Sequence, residues 1–359
     1  MLEARMDRTS IEVPIDAAAH DLAHRIPTVA IVGPGLVGAT TAYALLMSGV
    51  AGEIALIGRD KERVKAQVAD LRDAAVYSHP TRVAAGDFTD CATADVIIVT
   101  VGVPQHREAR SRLADLKNSA KIVKDVMAEI ARQRPTGVVV IATNPVDVLT
   151  YAAWKWSGLP VGRVIGSGTI LDSSRLRRRL GERYGIATEN VHAYVVGEHG
   201  DSQVALLSAA RIGGTPLQEF SCASSPPYER EALRRIVDSA RSGGQDIMRA
   251  KGATNYGISA ALTRIATAIL RNEHAVLTVS TVVAETTDLG QVSLSVPAVI
   301  GREGVQRVLP IRSTDEEYRA LRRSADILKR HIATLDLPAE GRQQSNPFAI
   351  VPWRAQTAS

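Results

Sequence analysis

The pattern of apolar and polar positions divides the first half of the chain into alternating strands and helices. Amphipathic, charged stretches at 60–73 and 113–133 predict helices. The near-continuous apolar runs that predict strands are Thr28–Val32, Glu53–Ile57, 95–101 and 137–142. Strands of this kind are typical of a parallel sheet covered on both faces. The predicted fold is therefore α/β, with a Rossmann-type doubly wound parallel sheet.

The second half of the chain has a less regular pattern, which predicts a mixed α+β domain. Its β-rich pieces are 191–196, 275–281 and 292–300, and its helical pieces are 229–248, Tyr256–Leu270 and 315–333. We expect an N-terminal extension, predicted to be flexible, at 1–26, a dinucleotide-binding domain at 27–170, a substrate and catalytic domain at 171–333, and a C-terminal tail at 334–359. The tail shows no periodicity and is predicted to be mobile or to lie over a neighbour.

Composition excludes several classes of protein. With 359 residues, 45% hydrophobic and 23% charged, the chain has the balance of a globular protein with a buried core. The net charge of +5 is spread along the chain and aromatics are only 4%, which argues against nucleic-acid binding. No run approaches the roughly 20 apolar residues of a membrane span, and 1–26 contain no secretory apolar segment. Cys91 and Cys222 have neither disulfide nor metal spacing, so we expect a cytoplasmic protein without a metal.

A glycine-rich turn follows the first predicted strand. Gly33, Gly35 and Gly38 have the Gly-x-Gly-x-x-Gly spacing and lie between that strand and a predicted helix. The first glycine permits a tight turn, the second lets a pyrophosphate approach the backbone, and the third lets helix and strand pack closely. This context predicts a dinucleotide site.

The end of the second strand bears on the choice of cofactor. An NAD site normally has Asp or Glu there, about 20 residues after the glycines, to hold the ribose hydroxyls. Here Gly58 is followed by Arg59, and a small residue plus a guanidinium suits a 2′-phosphate, which favours NADP over NAD. NAD stays open, because Asp60 could turn back to the ribose and Arg59 could be a solvated surface residue.

Four separated segments carry a resemblance to a known family. They are Ile-Ala-Thr-Asn-Pro-Val-Asp at 141–147, Gly-Ser-Gly-Thr-Ile-Leu-Asp-Ser-Ser-Arg at 166–175, Gly-Glu-His-Gly-Asp-Ser at 197–202 and Lys-Gly-Ala-Thr at 251–254. Over about residues 27–333 the chain resembles the L-lactate and malate dehydrogenase family, most closely its lactate branch. The resemblance implies reversible reduction of a 2-oxo acid to an L-2-hydroxy acid by a nicotinamide cofactor.

The family implies roles for three residues at the reacting centre. His199 matches its proton donor, and imidazole is suited to gain and lose a proton near neutral pH. Asp172 matches the acidic partner of that histidine, and Arg175 matches the arginine that binds the substrate carboxylate. The alternatives are that Asp172 caps a helix and that Arg175 belongs to a solvated basic helix.

Two further residues match positions beside the substrate. Asn144 corresponds to an asparagine near the carbonyl and the nicotinamide ribose, and Thr254 to a hydroxyl in the substrate pocket. An Asn before Pro145 is also typical of a turn, and Thr is common where a helix begins.

Residues 102–113 occupy the place of the family's mobile lid. Arg112 matches the arginine that polarises the carbonyl when the lid closes. The Pro-Gly often found in the lid is missing and one residue is added, so Arg110 is a rival for this role.

The lid also indicates the substrate. Gln105 favours a monocarboxylate, since malate dehydrogenases usually have arginine there. The added residue could instead bring His106 or Arg107 into this place, and a cationic lid could attract a more anionic substrate. Asn255 replaces an aromatic residue common in bacterial members, so an NADPH-dependent reductase of a specialised 2-oxo acid and a malate dehydrogenase stay open.

Assembly and regulation are implied by the resemblance alone. The family forms homodimers or homotetramers. Arg177 and His192 match the pair with which some bacterial lactate dehydrogenases bind the activator fructose 1,6-bisphosphate at a subunit interface. The alternative is structural, because basic helix residues and strand histidines are common. A non-catalytic dinucleotide-binding protein is the rival reading from another class.

Overall fold

A nine-stranded sheet forms the centre of the computed structural model, which describes residues 26–102, 112–220, 226–338, 347–348 and 352–353. The strands of this sheet are β1 (Thr28–Val32), β2 (Glu53–Ile57), β3 (Arg82–Ala85), β4 (Val96–Val99), β5 (Val138–Ile141), β6 (Val164–Gly166), β12 (Ala275–Val282), β13 (Ser293–Gly301) and β14 (Gly304–Val308). Their order across the sheet is β14-β13-β12-β6-β5-β4-β1-β2-β3. Strands β1 to β6 are parallel, and β12, β13 and β14 continue the sheet in antiparallel fashion.

The central strands are buried on both faces. Successive side chains of a strand point to opposite faces, yet Ile97 and Ile98 on β4 are both 0% exposed. Helices must therefore cover both sides, as in doubly wound folds. The described α-helices are α1 (Leu36–Ser48), α2 (Lys61–Ala75), α3 (Arg112–Arg132), α4 (Val146–Ser157), α5 (Ile170–Tyr184), α6 (Arg230–Lys251), α7 (Tyr256–Leu270) and α8 (Asp315–Ile332).

Local sequence signals set several helix ends. The Asp60 carboxylate accepts a hydrogen bond from the Arg63 backbone and caps the start of α2. Thr314 and Glu317 form a reciprocal capping box at the start of α8. Gly158 and Gly185 end α4 and α5 with φ of 64° and 66°, a left-handed conformation that glycine adopts without a side-chain clash.

The predicted fold class is confirmed, with one difference in the second half. The predicted bounds of β1, β2 and α7 coincide with those observed. The β-rich segments at 275–300 do not form a separate sheet, because β12 pairs with β6 at Ser280 and Gly166. The second half nevertheless has its own apolar cluster, which includes Leu176, Leu180 and Leu233. The division at residue 170 stays a prediction.

Small sheets flank this second cluster. One contains β7 (Val191–His192), β10 (Arg211–Ile212) and β11 (Thr215–Pro216), and another contains β8 (Val195–Val196) and β9 (Val204–Ala205). Hydrogen bonds between the Gly197 and Ser295 backbones tie the end of β8 to β13. The loop after β8 is therefore held against the central sheet.

Part of the C-terminal tail packs on its own chain. The sequence analysis had predicted instead that this tail is mobile or lies over a neighbour. Phe348 is 5% exposed, and its carbonyl accepts a hydrogen bond of 2.8 Å from the Ala284 N–H. The strand β16 (Pro352–Trp353) pairs in parallel with β15 (Ile311–Arg312). Periodicity could not predict these contacts, because each involves only one or two residues of the tail. Apart from residue 26, the extension at 1–26 lies outside the described residues.

Candidate active site

The candidate cofactor crevice lies where the strand order reverses, between the carboxyl ends of β1 and β4. Gly33 directly follows β1 with φ of 100°, and a side chain there would lie 2.9 Å from the Val101 backbone nitrogen. A Cβ at Gly38 would collide with the Gly33 carbonyl oxygen and lie 2.7 Å from Thr100 Oγ1. Both positions therefore require glycine for the turn to close against β4.

Gly35 differs from the other two glycines, because its missing side chain faces open space. A Cβ there would have no heavy atom within 4 Å. Gly35 is also the N-cap of α1, so free N–H groups and the positive end of the helix dipole face this space. The residues of this turn fit a dinucleotide pyrophosphate.

The residue that directly follows β2 is Gly58, which has no side chain. A Cβ there would lie 2.8 Å from Val64 Cγ2. Arg59 is exposed, and the Asp60 carboxylate receives the Arg63 backbone N–H at 3.0 Å. One oxygen of the carboxylate that could serve a ribose is therefore engaged as a helix cap.

His199, Asp172 and Arg175 form one connected cluster. His199 lies in the loop after β8, and its Nδ1 is 2.6 Å from Asp172 Oδ2. Arg175 Nη1 donates to Asp172 Oδ1 at 3.1 Å, from one turn further along α5. The Asp172 side chain is 3% exposed, whereas that of His199 is 28% exposed. The buried carboxylate therefore orients a histidine that stays accessible.

Opposite charges set the protonation of this pair. Burial acts to raise the pKa of Asp172, but His199 and Arg175 together hold that pKa below its ordinary value. Burial acts to lower the pKa of His199, but Asp172 and the nearby Asp147 raise it above its ordinary value. The pair therefore favours a carboxylate and an imidazolium that can donate a proton from its second ring nitrogen.

Asp147 also contacts His199, although the sequence analysis did not single it out. It lies in the first turn of α4, is 2% exposed, and its Oδ2 accepts the His199 backbone N–H at 2.7 Å. Its Oδ1 accepts the Ser280 hydroxyl, and Ser295 Oγ lies 3.4 Å away. Burial raises the pKa of Asp147 to about 6. Its place in the 141–147 segment is the sequence signal that could have identified Asp147, but the residues that it contacts are distant in the chain.

Asn144 and Thr254 lie outside the hydrogen bonds that join His199 to its partners. Asn144 is exposed at the carboxyl end of β5, and Thr254 is half-buried between α6 and α7. Neither bonds to Asp172, Arg175 or His199 among the described contacts. Asn255 is buried, accepts from Lys251 at 2.9 Å and donates to Thr40 at 3.0 Å. It therefore ties the corner that carries Thr254 to α1.

Of the lid residues predicted to contact the substrate, Arg112 lies within the described segments. Arg112 is the first residue of α3, at the start of the described segment that follows the lid. Gln105, His106, Arg107 and Arg110 lie outside the described residues.

The two residues matched to an activator site lie on neighbouring elements, Arg177 on α5 and His192 on β7. Arg177 donates to the Val191 carbonyl at 2.7 Å and to the Thr188 carbonyl at 3.3 Å. His192 follows Val191 on β7 and is exposed. Part of the Arg177 guanidinium therefore already supports β7.

Sequence comparison assigns both halves of the chain. The family described as "lactate/malate dehydrogenase, NAD binding domain" matches residues 27–166, and "lactate/malate dehydrogenase, alpha/beta C-terminal domain" matches 169–336. The chain belongs to the lactate/malate dehydrogenase family. It is an oxidoreductase of the lactate dehydrogenase type with a nicotinamide cofactor, as its resemblance predicted.

Relatives of this dehydrogenase match nearly their whole length. The L-lactate dehydrogenase of Thermus aquaticus is 44% identical over 301 residues, covering 84% of this chain and 97% of that one. The L-lactate dehydrogenase of Acetivibrio thermocellus is 39% identical, covering 87% and 98%. The solved structure of a minor L-lactate dehydrogenase from Enterococcus mundtii has 35% identity and a TM-score of 0.83, covering 87% and 99%. Within the described segments, no helix of this dehydrogenase is long and apolar enough to cross a membrane.

Proposed function

We propose that the protein reduces a 2-oxo acid to an L-2-hydroxy acid, with NADPH preferred over NADH. The observation that carries the reaction is the contact of His199 with Asp172, which in turn holds Arg175. Arg175 binds the substrate carboxylate through its fork of N–H groups. Asn144 and Thr254 border the same substrate, and Arg112 stabilises the charge that develops on the carbonyl oxygen.

The proton moves through His199. Its Nδ1 is occupied by Asp172, so the other ring nitrogen faces the carbonyl oxygen and donates the proton as the ketone becomes an alcohol. A nicotinamide cofactor bound at the glycine turn would supply the hydride. In the reverse direction the neutral ring accepts the hydroxyl proton, while Asp172 fixes the tautomer.

The basic experiment measures initial rates against pyruvate, oxaloacetate and longer 2-oxo acids, with NADH and NADPH in turn. Gln105 favours turnover of pyruvate over oxaloacetate, and the reverse order would assign a malate dehydrogenase. Binding of the cofactor with no turnover of any 2-oxo acid would contradict the proposed reaction and support a non-catalytic dinucleotide-binding protein.

The preference for NADPH rests on Gly58 and Arg59. No carboxylate extends from Gly58 to repel a 2′-phosphate, Asp60 is engaged as a cap, and the exposed Arg59 has a guanidinium that suits a phosphate. We expect Arg59→Ala to lower kcat/KM for NADPH about tenfold, with a smaller effect on NADH.

Arg132→Ala is the matched control for Arg59, since Arg132 is also exposed but lies at the end of α3. Equal losses with both cofactors in Arg59→Ala would contradict the NADP assignment. Gly58→Asp would place a carboxylate at the end of β2 and should reverse the cofactor preference toward NADH. It is a weaker test than Arg59→Ala, because the added Cβ must displace Val64.

We further propose a cytoplasmic homodimer or homotetramer with an anion site at Arg177 and His192. Light scattering after gel filtration measures the assembly. Fructose 1,6-bisphosphate should activate the native enzyme and fail to activate Arg177→Gln. Activation that persists in that variant would assign both residues a structural role.

A further inference from the structure

Ser295 lies between the two segments that carry His199 and Asp172. It is 0% exposed on β13, and its backbone N–H and carbonyl each form a hydrogen bond of 2.9 Å with Gly197, two residues before His199. Its hydroxyl accepts the Thr169 backbone N–H at 3.0 Å, three residues before Asp172. One residue therefore holds both the loop of the histidine and the start of α5.

The same hydroxyl approaches the carboxylate that supports His199. Ser295 Oγ lies 3.4 Å from Asp147 Oδ1, and Asp147 Oδ2 accepts the His199 backbone N–H at 2.7 Å. Ser280 on β12, which pairs directly with Ser295, also donates its hydroxyl to Asp147. A second path therefore joins Ser295 to His199.

The start of α5 is held close to this serine. Gly168 has φ of 51°, and a Cβ there would lie 2.6 Å from Ser295 Oγ. Thr169 is 0% exposed and is the N-cap residue of α5, without a side-chain cap. Without the Ser295 hydroxyl, the buried Thr169 N–H would lose the acceptor that the described residues provide, which is costly. The position of α5 against β13 therefore depends on this hydroxyl.

Ser293 provides a comparison on the same strand. It is also 0% exposed and faces the same side of β13, two residues earlier. Its Oγ has no hydrogen-bond partner within the described residues. The two serines are therefore alike in burial and differ in their bonds to the candidate active site.

We propose that Ser295 is a positioning residue that fixes the separation of His199 and Asp172. The inference rests on the proposed function, in which His199 protonates the substrate. Asp172 and Arg175 both belong to α5, so a displacement of the start of this helix leaves their mutual contact intact and changes the separation of Asp172 from His199. Ser295 therefore acts on proton transfer more than on binding of the substrate carboxylate.

The test compares Ser295→Ala with the native protein by two measurements. The first is the pH dependence with which diethyl pyrocarbonate modifies His199 in the protein without substrate, followed by peptide mass spectrometry. The reagent reacts with neutral imidazole, and the His199 side chain is 28% exposed. The second measurement is kcat and KM for a 2-oxo acid that the native enzyme turns over.

A looser contact with Asp172 should lower the pKa of His199. Among the charged groups around the ring, Asp172 and Asp147 raise that pKa and Arg175 lowers it. For Ser295→Ala we expect the midpoint of modification to move down by about one pH unit. We expect kcat to fall about tenfold and KM to change by less than about threefold, since Arg175 keeps Asp172 as its partner.

Ser293→Ala is the matched control, because it removes an equally buried hydroxyl from the same face of β13. It should keep the native midpoint and the native kcat. Ser295→Cys is a second variant that keeps the shape and a weak acceptor. It should shift the midpoint in the same direction by less, and it decides the test if Ser295→Ala does not fold. Thermal unfolding checks that each variant is folded.

The outcomes separate this inference from the proposed function. A native midpoint in the folded Ser295 variants, or an equal shift in Ser293→Ala, would overturn the positioning role whatever the turnover. A large rise in KM with unchanged kcat would assign Ser295 to substrate binding and also overturn it. No turnover of any 2-oxo acid, together with a shifted midpoint in Ser295→Ala, would overturn the proposed reaction and support the positioning of His199.

Discussion

The glycine turn after β1 depends on the absence of side chains, whereas the histidine cluster after β8 depends on charged side chains. The turn is main chain, and its three glycines work by lacking side chains. The cluster consists of charged side chains around the buried Asp172, and His199 stays accessible. Asp147, which supports the His199 backbone, and its partner Ser280 are 133 residues apart. Adding atoms damages the turn, whereas removing charge damages the cluster. We expect added atoms in the turn to impair folding or ligand access, and loss of charge in the cluster to impair proton transfer to the substrate.

The largest effect should come from the cluster. His199→Asn removes the proton donor, so we expect kcat for 2-oxo acid reduction to fall by about 10³-fold. Cofactor binding, measured by the fluorescence of the reduced nicotinamide, should persist because the glycine turn is intact.

His331→Asn is the control for this variant, since His331 lies exposed at the end of α8. A loss of cofactor binding in His199→Asn as large as its loss of turnover would break the distinction between the two regions.

The turn should respond by sterics, and its glycines should respond differently. Gly38→Ala places a methyl group against the Gly33 carbonyl, so we expect the free energy of unfolding to fall by about 1–3 kcal/mol. Gly35→Ala meets no atom within 4 Å. It should change stability by less than about 1 kcal/mol but weaken cofactor binding. Denaturant unfolding and cofactor titration measure the two quantities, and equal destabilisation by both variants would contradict this assignment.

The smallest expected effect concerns pH. Reduction requires protonated His199, so kcat/KM is high below the pKa of His199 and falls as pH rises through it. The negative charge of Asp147 contributes to raising that pKa. Asp147→Asn removes the charge but keeps a similar shape, so this decline should move to lower pH. The pH profile of kcat/KM measures the change.

The comparison variant for Asp147 is Asp73→Asn on the exposed face of α2, which should leave the profile unmoved. Because the pKa of Asp147 is about 6, its influence applies only above that pH. An unchanged profile in Asp147→Asn would reduce its role to anchoring the loop.

Local chemistry was predictable from the sequence, whereas distant partnerships were not. Apolar runs predicted β1 and β2 to the residue, since buried parallel strands have a continuous apolar pattern. Asp147 was not recognised because its partners His199 and Ser280 come from other elements. The residue roles at the site stay predictions.

Short elements were also beyond the reach of periodicity. The strand β6 has three residues and β16 has two, too few to establish a pattern. The continuation of the sheet from β6 to β12 depends on a single paired position, Ser280 with Gly166. Such contacts are decided by tertiary packing and not by local preference.

The antiparallel continuation of the sheet also orders events during synthesis on the ribosome. Strands β1 to β6 are complete by residue 166, so the parallel layer and its glycine turn can form on the emerging chain. Ser280 and Ser295, which face Asp147 beneath His199, are translated more than a hundred residues later. A nascent chain would therefore acquire the dinucleotide crevice well before it could protonate a substrate.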